Sequence, residues 1–172
     1  QYASTLEQEN IRLKSEARSR FNLQGIIGSS PPMRRLFDLL DKVLDSSTSV
    51  LIQGETGTGK ELVAKVVHHN GPHKDSPFVA ENCGALSENL LESELFGHVK
   101  GAFTGATHER KGLFIKANHG TLFIDEITNL PLEMQSTLLR VLQEGEIRPV
   151  GSDVSCKVDV RVISAASISL RE

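Results

Sequence analysis

The sequence predicts an α/β layer fold built on a parallel sheet. Apolar runs of strand length alternate with helical patterns along the chain, as they do when helices cross over a sheet. The run Val50-Leu51-Ile52 passes into a glycine loop, Gly54 to Gly59, and then into the helical pattern Leu62-Val63-Ala64-Lys65-Val66-Val67. The run Thr121-Leu122-Phe123-Ile124 is apolar without alternation and closes on Asp125-Glu126, as expected of a strand covered on both faces. In such sheets ligands collect at the carboxyl ends of the strands.

Each element follows in order. Residues 1–20 are polar and helix-prone, with Ala3, Leu6, Asn10, Leu13 and Ala17 at alternating a and d positions of a heptad. That is about two and a half heptads, so residues 1–24 read as a helical linker, either solvated or paired with a second copy. Gly25 to Pro32 breaks this helix. A cap signal then opens a helix over Met33–Leu44 with Leu36, Leu39, Leu40 and Val43 on one face. A first strand is expected over Ser49–Gln53. A second helix starts in the glycine loop and stops at Asn70-Gly71-Pro72. A second strand covers Phe78–Glu81, and a polar helix covers Ser87–Leu95. Glycines 97, 101, 105 and 112 mark residues 96–112 as an irregular or hairpin-like excursion. After the buried strand, Pro131 sits in the first turn of a helix that runs to Gly145 with Met134, Leu138, Leu139, Val141 and Leu142 apolar. Ile147–Val150 is a short strand or hairpin arm, and Val158–Ala165 is a further strand.

Bulk properties narrow the function. The 172 residues suit one domain, able to bury roughly 70% of the surface its unfolded chain exposes. A net charge of −3, with 38% hydrophobic and 24% charged residues, is ordinary for a soluble globular protein and gives no general drive toward nucleic acid. No apolar run reaches the length of a membrane span, and the polar start predicts no signal peptide. Cys83 and Cys156 lie far apart and read as buried thiols of a reducing cytoplasm. His68, His69 and His73 have no acid or cysteine at ligand spacing and read as a surface helix terminus; His98, His108 and His119 fall in loops.

The chemistry lies in two motifs. Strand, glycine loop, lysine and helix make a phosphate cradle: Gly54, Glu55, Thr56, Gly57, Thr58, Gly59 and Lys60 aim backbone N–H groups, a point charge and a helix dipole at one anion. The general pattern has Ser or Thr after the lysine to ligate Mg²⁺, and here that position is Glu61. Asp125-Glu126 at the end of a buried strand can divide labour, one carboxylate on Mg²⁺ and the other on the attacking water. The plainer readings are a chance glycine turn and an acid pair opening a helix. The two motifs in one chain outweigh both.

With these motifs stand Ser93-Glu94-Leu95-Phe96-Gly97-His98, Gly101-Ala102-Phe103-Thr104-Gly105-Ala106 and Gly120–Ile127. Together they resemble the AAA+ domain of bacterial enhancer-binding proteins, the ATP-driven activators of sigma-54-dependent transcription, over about residues 25–165. The GAFTGA hexapeptide is the most specific carrier, and the family also places Glu after the loop lysine. The resemblance implies a P-loop NTPase of the AAA+ type, a three-layer sandwich, with ATP and Mg²⁺ as cofactors. It implies that Lys60 and the loop amides bind phosphates, that Ile27 and Gly28 line the adenine pocket, that Asp125 acts on Mg²⁺ and Glu126 on the hydrolytic water, and that Asn82 holds that Glu and reports the γ-phosphate. Gly101 to Ala106 then form the tip that touches sigma-54, with Phe103 the apolar contact and Thr104 the polar one. The implied partners are sigma-54 RNA polymerase holoenzyme, further copies of the chain in a hexameric or heptameric ring, and DNA through a separate downstream domain, all in the cytoplasm and with no membrane.

Departures from the family pattern are Ala166 and Ser167, where it has a polar pair such as Thr-Asn; Ile115, where it has Glu; and His119, where it has Gly. The family's further strand, arginine fingers, helical lid, upstream sensor or receiver domain and helix-turn-helix are expected outside these residues, so the chain reads as part of a longer regulator. A rival from another class is a nucleotide-binding oligomerisation or interaction module with weak hydrolysis. An unrelated P-loop kinase leaves the hexapeptide unexplained.

Overall fold

In the computed structural model, which describes residues 25–167, four parallel strands form the central sheet in the order β1-β8-β5-β2. These are β1 (Val50–Gln53), β2 (Phe78–Asn82), β5 (Thr121–Asp125) and β8 (Arg161–Ala166). Helices cover both faces, giving three layers. Helix α1 (Pro31–Leu44) and α2 (Lys60–His69) pack on one face. On the other lie α3 (Glu88–Phe96), the single turn α4 (Leu113–Lys116) and α5 (Leu132–Glu144).

Strand β5 shows why its run is apolar throughout. Successive side chains point to opposite faces, so Phe123 enters the core with Phe37, Leu40 and Val67, while Leu122 and Ile124 enter the other with Leu95, Phe96 and Phe114. The register aligns the carboxyl ends: Asn82 lies opposite Asp125, and Gln53 opposite Ala166. Every motif that follows one of these strands therefore emerges at the same rim.

The excursion is a hairpin. Strands β3 (Gly97–His98) and β4 (Arg110–Lys111) pair antiparallel, and residues 99–109 form its tip. A second hairpin pairs β6 (Glu146–Ile147) with β7 (Cys156–Lys157). The two are laced together, Val99 N donating to Val150 O and Val150 N to Gly97 O, both near 3 Å.

Several expectations are corrected. Helix α1 begins at Pro31, and Phe37, Leu40 and Leu44 are its buried face; Leu39 is 59% exposed. Phe37 carries the largest apolar area on that helix and turns its own stripe inward. The helix expected to be polar, α3, buries Leu91, Ser93, Leu95 and Phe96. Pro131 stands at the N-cap just before α5, and Leu139 and Leu142 on that helix are exposed. The last strand begins at Arg161, because Val158 and Asp159 give their N–H groups to Gly145 O and the Asn118 side chain. His68 is buried, with Nδ1 2.9 Å from Thr121 Oγ1, since α2 tucks its last turn beneath the sheet. Cys156 is only half-buried. The heptad segment expected over residues 1–24 lies outside the described residues. Among those residues no helix is long and apolar enough to cross a membrane.

Candidate functional site

The loop between β1 and α2 is shaped by backbone conformations that only glycine adopts freely. Gly57 and Gly59 have φ of +84° and +89°, with nothing within 4 Å of where a Cβ would be built, so what these positions demand is conformation rather than space. Gly54 N donates to Ala166 O at 3.1 Å, which ties the loop to the end of β8. Thr58 Oγ1 donates to Glu55 O at 2.7 Å and closes the turn. Glu55, Thr56 and Thr58 are exposed around the mouth.

Lys60, the first residue of α2, is buried, and its Nζ donates to Gly54 O and Glu55 O, each at 2.9 Å. The ammonium is thus held inside the loop at the positive end of a ten-residue helix. Glu61 points away from it, toward Lys65 at 2.8 Å, with both side chains about half exposed. Such a surface pair on a helix contributes roughly 0.3–0.5 kcal/mol.

The acidic pair ends β5, two strands from β1 with β8 between them. Asp125 Oδ1 accepts the Glu126 N–H at 2.9 Å. Glu126 has φ +53°, a left-handed conformation rare for a residue with a side chain and characteristic of strained functional positions. Its Oε2 accepts from Asn129 Nδ2 at 3.2 Å. Asn82 Oδ1 accepts the Gly84 N–H at 2.8 Å. Asn82 is therefore beside Glu126 but hydrogen-bonded elsewhere; the carboxylate's side-chain partner is Asn129.

All three side chains converge on Gly84. A Cβ built there would sit inside van der Waals contact of Glu126 Oε2, 2.9 Å from Asn129 Nδ2 and 3.2 Å from Asn82 Oδ1. Cys83, between them, has its thiol pushed up to about 12, by burial first and then by Glu81, Asp125 and Glu126. It is a buried apolar thiol.

Nearer the chain's start, Ile26 is buried in the core while Ile27 is 82% exposed. Gly28 is needed where it stands, because a Cβ would fall 2.7 Å from Met33 Cγ. At the end of β8, Ala166 is fully buried and Ser167 partly so.

The hexapeptide forms the hairpin tip. Gly101 (φ +81°) and Gly105 (φ +100°) flank it with open space around each. Gly101 N donates to Ala106 O at 2.8 Å, and Ala106 N to Phe103 O at 3.0 Å. Thr104 is exposed, Ala102 half-buried, and Phe103 45% exposed. Ala106 is buried and closes the turn from below instead of facing out.

Sequence reasoning did not single out Asn129, Gly84, Ser93 or His98 as structural partners. Asn129 follows Glu126 by three residues, the spacing that returns a side chain to the same side of a tight turn, so a signal for it was present. Gly84 looked like an ordinary turn glycine. Among the described residues no cluster of His, Cys, Asp and Glu could by itself hold a metal ion.

Comparison with known proteins identifies the family. Residues 26–172 match the family described as the sigma-54 interaction domain. The Nif-specific regulatory protein of Klebsiella pneumoniae is 52% identical over 152 residues, covering 88% of this chain and 29% of that protein. The anaerobic nitric oxide reductase transcription regulator NorR of Klebsiella pneumoniae (strain 342) is 57% identical over 149 residues, covering 87% and 29%. The chain thus spans less than a third of the length of these relatives. Among solved structures, NtrX from Brucella abortus in complex with ATP aligns with a TM-score of 0.77 at 28% identity, over 99% of this chain and 37% of that one. The P-loop NTPase domain of a sigma-54 activator from E. coli shares the fold, with a TM-score of 0.55 at 19% identity over 84% of this chain and 80% of that one.

Proposed function

The chain belongs to the sigma-54 interaction domain family, and from that premise we propose that it is the ATP-hydrolysing motor domain of a sigma-54-dependent transcription activator. The observation that carries this reading is the convergence of Gly54–Lys60, Asp125, Glu126 and Asn82 at one rim of the sheet, with the hexapeptide hairpin rising from the helix that follows Asn82.

The residues present fit a nucleoside triphosphate with a divalent cation. Lys60 is held inside a loop whose Gly57 and Gly59 have positive φ, and a carboxylate ends the strand two positions along the sheet. Mg²⁺, when bound with ATP, neutralises charge that develops on the transferring phosphoryl group. Lys60 and the loop amides hold the phosphates, and Ile27 with Gly28 borders the base. Asp125 would hold the cation, and Glu61 would have to leave its pair with Lys65 to take part. Glu126 orients the attacking water and takes its proton, a contribution of about 10²–10⁴-fold. Asn82 fixes Glu126 when nucleotide is present.

In the parent protein the domain assembles with further copies into a hexameric or heptameric ring, works in the cytoplasm, and acts on sigma-54 RNA polymerase holoenzyme to remodel the closed promoter complex. Residues 1–24 serve as the inter-domain linker, and DNA is bound by a separate domain. An arginine supplied by a neighbouring subunit adds about 10³–10⁵ to turnover in comparable phosphoryl-transfer enzymes, so turnover should rise as copies assemble.

Two variants test the reading. Lys60→Ala is expected to abolish binding of a fluorescent ATP analogue while the thermal melt stays cooperative. Thr104→Ala is expected to keep nucleotide affinity and lose binding to sigma-54 in the presence of a transition-state analogue of ATP. Wild-type sigma-54 affinity in Thr104→Ala removes the hexapeptide from the contact, and tight nucleotide binding in Lys60→Ala removes the loop from the site.

A further inference from the structure

Phe103 is 45% exposed, so half of it is covered, and the ring that covers it is His98. The centroids are 5.0 Å apart and the planes meet at 62°, an edge-to-face arrangement of the kind aromatic rings favour. The imidazole is itself fixed. His98 Nδ1 lies 2.6 Å from Ser93 Oγ, and Ser93 is only 2% exposed on α3. A buried serine therefore sets the angle of an imidazole, which sets the position of a phenyl ring at a loop tip.

The opposite arm of the hairpin is fastened to the same stretch of α3, since Arg110 pairs with Glu94 at 2.6 Å. The base of the tip also leans on the second hairpin, where Val99 bonds Val150 and Ala102 lies beside Gly151. Gly101 and Gly105 have open space around them, and the tip's backbone bonds include those from Gly101 N to Ala106 O, Ala102 N to Val99 O and Ala106 N to Phe103 O.

We propose that His98, oriented by Ser93, is a positioning residue that holds Phe103 against the body of the domain and so fixes how far the loop is presented. The proposal rests on the reading of the hexapeptide as the surface offered to sigma-54, and it adds the device that governs that surface. Turning the imidazole away from Phe103 breaks its bond to Ser93, so that bond favours the docked position of the phenyl ring. Movement of α3 relative to the hairpin would do this without altering the nucleotide loop.

The test is amide hydrogen exchange on the full chain. His98→Ala is expected to raise exchange across residues 100–107 by about tenfold, the loss expected when one aromatic contact and its support go. Ser93→Ala, which keeps the ring and frees its angle, is expected to raise it severalfold. His98→Gln, which can still bond Ser93 but presents no ring, should behave like His98→Ala. Exchange in β5 and α2 should match wild type in all three, which distinguishes a released loop from a damaged fold. Wild-type exchange across residues 100–107 in both His98→Ala and Ser93→Ala overturns the proposal, as does an increase that spreads evenly through the domain. Sigma-54 affinity, measured in parallel, separates the premise: loosened exchange with unchanged affinity in these variants and in Thr104→Ala keeps the clamp and discards the contact surface.

Discussion

Gly84→Ala is a single-methyl change placed among three polar side chains. The backbone there does not have positive φ, so alanine costs no conformational strain. The new Cβ would, however, fall within contact distance of Glu126 Oε2 and 2.9 Å from Asn129 Nδ2. The carboxylate is the flexible end of a side chain and gives way first. It must retreat by about 1 Å to reach an ordinary contact, and the 3.2 Å bond from Asn129 is lost with it. Losing one exposed hydrogen bond costs about 1 kcal/mol or less, so the melting temperature should move by only a few degrees. Turnover should fall by about 10²-fold, because a misplacement of about 1 Å at a water-orienting group has that effect. ATP affinity should hold, since no phosphate contact changes. The assay is steady-state hydrolysis in the parent protein beside a nucleotide titration. In a Glu126→Ala background, Gly84→Ala should add nothing, because the two changes act through one group. Wild-type turnover in the single variant, or additive losses in the double, would show that the carboxylate's position over Gly84 is irrelevant to hydrolysis.

Other outcomes follow from single groups. Burial, and then the repulsion of His69, holds His68 below its ordinary 6.5; below that value the unfolded chain takes up the proton that the folded one resists, so stability should be full at neutral pH and fall on acidification, and His68→Gln should flatten a melting curve series across that range. Cys83, with its thiol pushed up to about 12, should resist alkylation at mildly alkaline pH until the domain is unfolded, whereas half-buried Cys156 reacts in the native state; mass mapping of labelled peptides decides this. His119 has φ +64°, and His119→Gly removes a left-handed penalty of about 1–2 kcal/mol while adding an entropy cost of about 0.5–1 kcal/mol, so denaturant melts should show a gain of up to about 1.5 kcal/mol; a loss would mean that the exposed His119–Asp159 contact at 3.7 Å and the entropy cost together outweigh the relief.

The layers and the rim were readable because both rest on strong local signals. The unbroken apolar run of β5 forces burial on two sides, and the glycine loop joins a strand to a helix at fixed spacing. The faces of α1 and α5 were not, because each carries two apolar stripes and the choice between them is made by the sheet they meet. His68 was misjudged for a related reason: a histidine at a helix end looks solvent-facing until a threonine from the sheet, 53 positions later, is found beside it. The same distance in sequence hid the link from Ser93 through His98 to Phe103, whose meaning is purely spatial. The partner of Glu126 was only half legible. Asn82 belongs to the pattern, but the local turn hands the carboxylate to Asn129.

Arg161, a buried cation, ties down the amino-terminal edge of the sheet. Its side chain lies at the start of β8 and donates to Val43 O at 2.8 Å and Thr48 O at 3.3 Å, and its N–H donates to Gly120 O at 2.9 Å. Gly71 is kept small beside it, with the guanidinium 3.0 Å from where a Cβ would stand. The buried guanidinium thus ties the chain leaving α1 to the start of β8 and packs against the turn after α2, while the Arg161 backbone holds the approach to β5. Breaking those bonds would leave a buried cation without partners, a strongly destabilising change, so this amino-terminal edge of the sheet should be among the last parts of the domain to open.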